Sequence, residues 1–463
     1  MGKIQNAWTS ARKTQAAIRA RIKPPAMLAL LTGAFLSGTR FRLRKPMRDV
    51  FQSGRSVQSQ FDILGGAQMI ARLAYIYIEN QKQLDTAVKE LAGQRIIGVD
   101  TESSSFYTYE SELCLVQITG GDKNYLVDPL GSLSLDNLAP LFADPLIVKV
   151  MHTASSDITE LRRAHPFQFM NLFDVMVGGR MLGFESCSLV SLVRHYTGVS
   201  LEKTEQKSNW KKRPLSASQM QYASRDTMYL EQIYTRMKLE VENMGFLDEF
   251  EQEMVRIGRE AYPAVRVYDH DHWKSVPGAL QLSPRSRGLL KALLEMREER
   301  ARKENIAPFR LAGNETLLRM ASRMPDTLSE LREAGLHPEF VRKDGEKILT
   351  IRNTVTDIQN ADAKKERRPP QDPVVSALKA WRKDLAEYRG FETSMILSNR
   401  QLEVIAENKP ASTADLRALD VMTDWKLENY GPMVLAVVAG QKPVRPPGLA
   451  RIPPEKRKRD FSG

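Results

Sequence analysis

Cysteine is nearly absent, with Cys114 and Cys187 the only two in a 463-residue chain. Two thiols cannot build a disulfide framework or a cysteine zinc site. Their scarcity points to a reducing compartment, the cytoplasm, and leaves oxygen donors for any metal. Long apolar runs are missing too. The run AMLALLTGAFL at 26–36 is too short to span a bilayer and has no clear small-residue cleavage site, which argues against a membrane anchor. Acidic residues are absent from residues 1–48, where eleven Lys/Arg lie. The formal charge is +12, yet beyond that segment 57 basic residues face 56 acidic ones, so the body is nearly neutral. Bulk charge is therefore no argument for a nucleic-acid partner, and the argument must be made module by module.

The basic segment 1–70 reads in three ways: a transit or secretory signal, a nucleic-acid-binding arm, or an extension from a misassigned start, with Met69 as a sensible alternative. It is expected to be disordered if translated. The rest has the apolar and charged content of a globular protein and exceeds the size of one core, so two or three domains are expected.

From residue 73 the pattern is regular. AYIYIE, RIIGVDT, ELCLVQIT, NYLVDP, LIVKV and NLFDV read as strands, and LDTAVKELAG and ASSDITELRRA as helices. Short connections suggest consecutive antiparallel hairpins, and helices follow to about residue 245. This is an α/β domain over 71–245. The second half is helical and repeats itself at an offset of 85 residues: Ala292 with Ala377, Arg297 with Arg382, Leu317 with Leu402, Pro325 with Pro410, Leu331-Arg332 with Leu416-Arg417. Two copies of one helical module are expected, at 276–356 and 372–442, joined by the charged linker 361–373 and followed by a basic tail, 443–463, expected to be disordered.

The stretch IIGVDTES puts two carboxylates at the end of a buried strand. Residues two apart share a strand face, so Asp100 and Glu102 project together and repel unless a proton or a hard divalent cation lies between them. Two further acids bear on that choice. Asp157 lies just inside a helix after a strand, and Asp226 lies on a helix opened by the capping pair Ser216 and Gln219, four residues after Tyr222 on the same face. Singly, each has an ordinary reading: a first-turn acid, a solvated acid, a core aromatic.

Together VDTES, HTASSD and YASRD, in that order, resemble the three exonuclease motifs of the DEDD superfamily in its tyrosine branch. The stretch carrying Trp210 and Arg213-Pro214-Leu215 resembles the one that accompanies the third motif in the ribonuclease D family, and the repeated modules look like its two HRDC domains. The resemblance implies a ribonuclease H-like mixed sheet followed by two all-α bundles. It also implies 3′-to-5′ exoribonuclease activity that releases nucleoside monophosphates, with precursors of tRNA and other structured RNAs as substrates, in a monomer. It makes Asp100, Glu102, Asp157 and Asp226 the ligands of two Mg²⁺ or Mn²⁺ ions, with Tyr222 orienting or deprotonating the attacking water. The histidine branch places its base where this chain has Tyr222, so His152 reads as packing or support, and Lys149 as structural.

Two alternatives stay open at this point. One is a DNA exonuclease, because no motif reports on the 2′-hydroxyl; the other is a scaffold with a decayed site, against which the intact set of acids argues. HRDC domains also accompany helicases, but no G-x-x-x-x-G-K-[ST] loop occurs. Between Leu280 and Arg352 there are 15 Lys/Arg and 11 Asp/Glu, whereas Asp372 to Lys442 has 9 and 10. The first repeat, with the linker's Lys364, Lys365, Arg367 and Arg368, is thus the better RNA-binding candidate, and the second a spacer or partner surface.

Overall fold

In a computed structural model of the chain, the described residues are 75–202, 204–260, 262, 268–359 and 372–454. The expectations for residues 1–70, for most of the linker and for the last nine residues fall outside them. The strands are β1 (Tyr75–Ile78), β2 (Ile96–Ser103), β3 (Leu113–Gly120), β4 (Lys123–Val127), β5 (Val148–Met151) and β6 (Leu172–Asp174). They form one six-stranded sheet in the order β1-β4-β3-β2-β5-β6. The pairs β2/β3 and β3/β4 are antiparallel, as the short connections predict, while β1/β4, β2/β5 and β5/β6 are parallel. Central β3, whose ELCLVQIT reads as an alternating strand, is instead buried along its whole length, Gln117 and Thr119 included, because both faces are covered.

Helices α1 (Gln81–Leu91), α2 (Ala139–Ala143), α3 (Ala154–Ala164), α4 (Val175–Met181), α5 (Leu189–Thr197), α6 (Ala217–Met228), α7 (Leu230–Asn243) and α8 (Leu247–Glu260) complete this domain. The last of these lies beyond residue 245 and still packs on β6 and α3, burying Phe250 and Met254 in the same core.

The repeat is visible in the backbone. The first copy comprises α9 (Pro284–Glu304), α10 (Pro308–Leu311), α11 (Asn314–Arg323), α12 (Leu328–Glu333) and α13 (Pro338–Thr354). The second comprises α14 (Pro373–Arg389), α15 (Thr393–Ile396), α16 (Asn399–Asn408), α17 (Thr413–Ala418) and α18 (Asp424–Val438). The two copies share a buried anchor. Arg297 donates to Ala312 O and Asn314 Oδ1, both at 2.8 Å, and Arg382 donates to Leu397 O at 2.6 Å and Asn399 Oδ1 at 2.9 Å. Each guanidinium ties the first helix of its copy to the turn before the third, at the same offset as the sequence repeat.

The copies differ in what they pack against. The first closes its own core around Trp273, Leu290, Leu293 and Phe340. The second shares one continuous core with the sheet domain. Glu249 of α8 and Arg389 of α14 form an ion pair at 2.7 Å, only 3% and 0% exposed, and Lys426 reaches Glu253 at 3.4 Å. The second copy is therefore fastened to the sheet domain and does not stand off as a spacer. Part of the tail also departs from expectation: Leu449 and Ile452 are buried, Ile452 N donates to Arg389 O and Arg389 Nε to Ala450 O, both at 2.8 Å. Two apolar side chains and a backbone clasp order a segment that its proline and arginine content reads as disordered.

Candidate active site

The site is built on β2. Asp100 and Glu102 lie on one face of the strand, and Gly98, two residues earlier, determines what sits above them. A Cβ there would lie 2.8 Å from Thr227 O and 3.3 Å from Leu230 Cβ, so only glycine lets the α6–α7 junction settle this close to β2. Helix α6 opens with the Ser216/Gln219 capping box and carries Tyr222 and Asp226 one turn apart. As a result, Asp100, Glu102 and Asp226 present carboxylate oxygens within 4.8 Å of one another, all three partly buried. The Tyr222 hydroxyl hydrogen-bonds to Asp226, and its ring lies 6.1 Å from buried Trp210.

Asp157 comes from the first turn of α3 and is held by the residue between the two β2 acids. Its Oδ1 accepts from Thr101 N at 3.0 Å and from Thr101 Oγ1 at 2.7 Å. It lies outside the tight trio, beside Asp100, whose charge it feels. All four predicted acids and the tyrosine thus converge. His152 and Lys149 do not join them: His152 Nε2 lies 2.8 Å from Cys187 O, and buried Lys149 donates to Asp144 O at 2.6 Å and Ile147 O at 2.8 Å. Burial pushes the Lys149 amine down to about 7.

Several residues that fix this geometry carry no motif. Asp174 caps α4 through Met176 N at 2.8 Å and also accepts from Ala154 N at 2.8 Å and Thr153 N at 3.2 Å, clamping the start of α3 where Thr153 turns left-handed at φ 64°. Arg213 pairs with Asp128 at 2.5 and 2.8 Å and donates to Trp210 O at 2.6 Å and Cys114 O at 2.7 Å, seating the loop that precedes α6. That arginine stood within the family-like stretch; its partner Asp128 had no signal. Gln117, opposite Asp100 on β3, is fully buried with both amide atoms unpartnered.

The electrostatics follow from the crowding. Burial, then the charge of neighbouring acids, holds the Glu102, Asp157 and Asp226 carboxyls well above the usual range, and burial raises Asp100 to about 6. Burial and the same acids also push up the Tyr222 phenol. Such a cluster of crowded carboxylate oxygens suits a hard divalent cation, which binds oxygen and would offset the repulsion. Beside the cluster opens a cleft of about 690 Å³, lined by Glu102 and Asp157, the hydroxyls of Ser105, Ser155, Thr159 and Ser208, and the rings of Phe106 and Tyr262.

Comparison with known proteins places this geometry. A 3′-5′ exonuclease family model matches residues 75–242, and an HRDC domain model matches 286–351 and 371–438. A ribonuclease D from Cronobacter turicensis is 31% identical over 260 residues, covering 56% of this chain and 70% of that protein. One from Pseudomonas paraeruginosa is 28% identical over 369 residues, covering 78% and 96%. The crystal structure of the catalytic core of RRP6 from Trypanosoma brucei superposes with a TM-score of 0.56 at 27% identity, over 61% of this chain and 80% of that one. Sheet, helical modules and relatives agree, and the chain belongs to the ribonuclease D family of 3′-5′ exoribonucleases.

Proposed function

We propose that Asp100, Glu102, Asp157 and Asp226 together hold two divalent cations, Mg²⁺ or Mn²⁺, and that Tyr222 orients or deprotonates the water that attacks the last phosphodiester. When bound, the ions would supply the positive charge that lets a nucleophile approach an anionic phosphodiester and that stabilises the leaving oxygen. The chain's own residues do the rest. Thr101 fixes Asp157 beside Asp100, Gly98 admits the helix that brings Asp226 and Tyr222, and the cleft's hydroxyls offer neutral donors to phosphate oxygens and to a 2′-hydroxyl. The observation that carries the reading is the convergence of three partly buried carboxylates within 4.8 Å of one another.

On this reading the enzyme releases nucleoside monophosphates from the 3′ ends of tRNA precursors and other structured RNAs, acting as a monomer in the cytoplasm. The division of labour is 71–245 for chemistry, with 276–356 and 372–442 as modules that serve substrate binding and assembly. The test is hydrolysis of 3′-labelled and 5′-labelled RNA and DNA oligonucleotides with and without Mg²⁺ or Mn²⁺. Stepwise shortening of RNA from the 3′ end only with metal is expected. Metal-independent cleavage, or DNA cleaved in preference to RNA, would contradict the proposal.

A further inference from the structure

The β2–β3 hairpin touches both the acid cluster and the first helical module. Its strand carries Asp100 and Glu102, and its tip is pinned to the module by backbone and side-chain hydrogen bonds. Ala307 N donates to Tyr107 O at 3.0 Å, Glu110 N to Asn305 Oδ1 at 3.1 Å, and Tyr109 Oη to Glu298 Oε1 at 2.5 Å in a buried setting.

The outer side of this seam is aromatic and cationic. The Phe106 ring lies 5.0 Å from Phe309 of α10 and 5.7 Å from Tyr107. The Arg310 guanidinium sits 4.1 Å from the centre of the Tyr107 ring, and the Lys207 ammonium 6.0 Å from that of Phe106. The Tyr107 hydroxyl donates to Lys207 O at 3.1 Å, fixing the lysine's backbone to the same seam. Phe106 also lines the cleft that holds Glu102 and Asp157, whereas Phe309 is 50% exposed. A row of rings therefore starts in the catalytic cleft and ends on an open phenylalanine contributed by the other module.

A single half-exposed phenylalanine is ordinary on a protein surface. This one continues a row that begins at the reacting centre, and the cations beside it suit a phosphate backbone better than an apolar protein partner. Ring faces flanked by Arg and Lys are the general means of holding single strands without reading their sequence.

We propose that Phe106 and Phe309, with Arg310 and Lys207, form a stacking subsite for the single-stranded nucleotides leading into the cleft. The first helical module then binds substrate through rings as well as charge, and a 3′ end is processed well only when its unpaired tail reaches Phe309. The proposal rests on the 3′-5′ exoribonuclease assignment.

The test uses the full chain with Phe309→Ala, Phe309→Trp and Arg310→Ala on single-stranded RNAs from a dinucleotide upward. Affinity is measured in chelator, where no strand is cut, and KM and kcat with metal. Phe309→Ala should weaken binding of the longer strands about tenfold and raise KM to match. Its kcat and its dinucleotide hydrolysis should stay at wild-type values, and Phe309→Trp should restore affinity. Arg310→Ala should lower the salt slope of binding by about one, whereas Phe309→Ala leaves it unchanged. Equal affinity of Phe309→Ala and wild type for every strand would overturn the subsite, as would a loss equal for the dinucleotide and the long strand. A wild-type chain inert on all strands would overturn the underlying activity, and the subsite with it.

Discussion

Asp100→Asn should abolish hydrolysis and, in metal-free protein, raise the melting temperature. Asp100 is a source of the repulsion felt by Glu102, Asp157 and Asp226, and asparagine keeps its shape without its charge. Oxygens of Asp100, Glu102 and Asp226 fall within 4.8 Å of one another, and two unit charges at that spacing repel by about 3 kcal/mol at an effective dielectric near ~20. Burial raises Asp100 from 3.8 to about 6, a separate cost of about 3 kcal/mol at neutral pH that asparagine also avoids. A gain of that size is worth roughly 5–10 °C in Tm. An acid whose pKa is raised in the fold binds more protons folded than unfolded, so the wild type loses stability as pH rises through the window from 3.8 to about 6. The advantage of asparagine is therefore full above that window and vanishes below it. Thermal unfolding in EDTA across pH, beside RNA hydrolysis in Mg²⁺, measures both effects, and added Mn²⁺ should stabilise the wild type more than the variant. A variant that melts at or below wild type in EDTA at neutral pH, or that still hydrolyses RNA, would refute the reasoning.

Tyr222→Phe keeps the ring beside Trp210 and should lower kcat by about a hundredfold with RNA affinity retained; unchanged kinetics would make the tyrosine a packing residue. Gly98→Ala places a methyl 2.8 Å from Thr227 O and must displace α6, so kcat should fall about 10- to 100-fold with a modest loss of Tm, and wild-type kcat would show that the close approach is dispensable. Arg389→Ala leaves Glu249 buried without its partner and should cost about 3–5 kcal/mol in denaturant unfolding, most of it recovered when Arg389→Met is combined with Glu249→Leu. An Arg389→Ala protein as stable as wild type would show that the second module is not held by this pair.

The convergence of the predicted acids was legible because their pattern is written in residue types and order. Asp100, Glu102, Asp157, Tyr222 and Asp226 are short local patterns on a strand or a helix, and periodicity places each on its element. The repeat was legible because a single offset of 85 residues survives in both sequence and backbone. What was not legible is what depends on contacts between distant segments. The parallel pairing of β1 with β4 leaves no local trace, and neither does the clamp of Asp174 on the start of α3 or the hold of Thr101 on Asp157. Gly98 looks like any glycine in a strand until the helix above it is in place. The docking of the second module was hidden for the same reason: Glu249 and Arg389 are 140 positions apart and resemble surface charges until both are buried.

The central claim is that the four acids hold two ions at the end of an RNA strand. Anomalous scattering from crystals of the wild-type chain grown with Mn²⁺ and AMP tests it most directly. Two manganese peaks are expected among Asp100, Glu102, Asp157 and Asp226, with the phosphate of AMP beside them. Manganese absent from this cluster, or a phosphate bound elsewhere on the chain, would contradict the account.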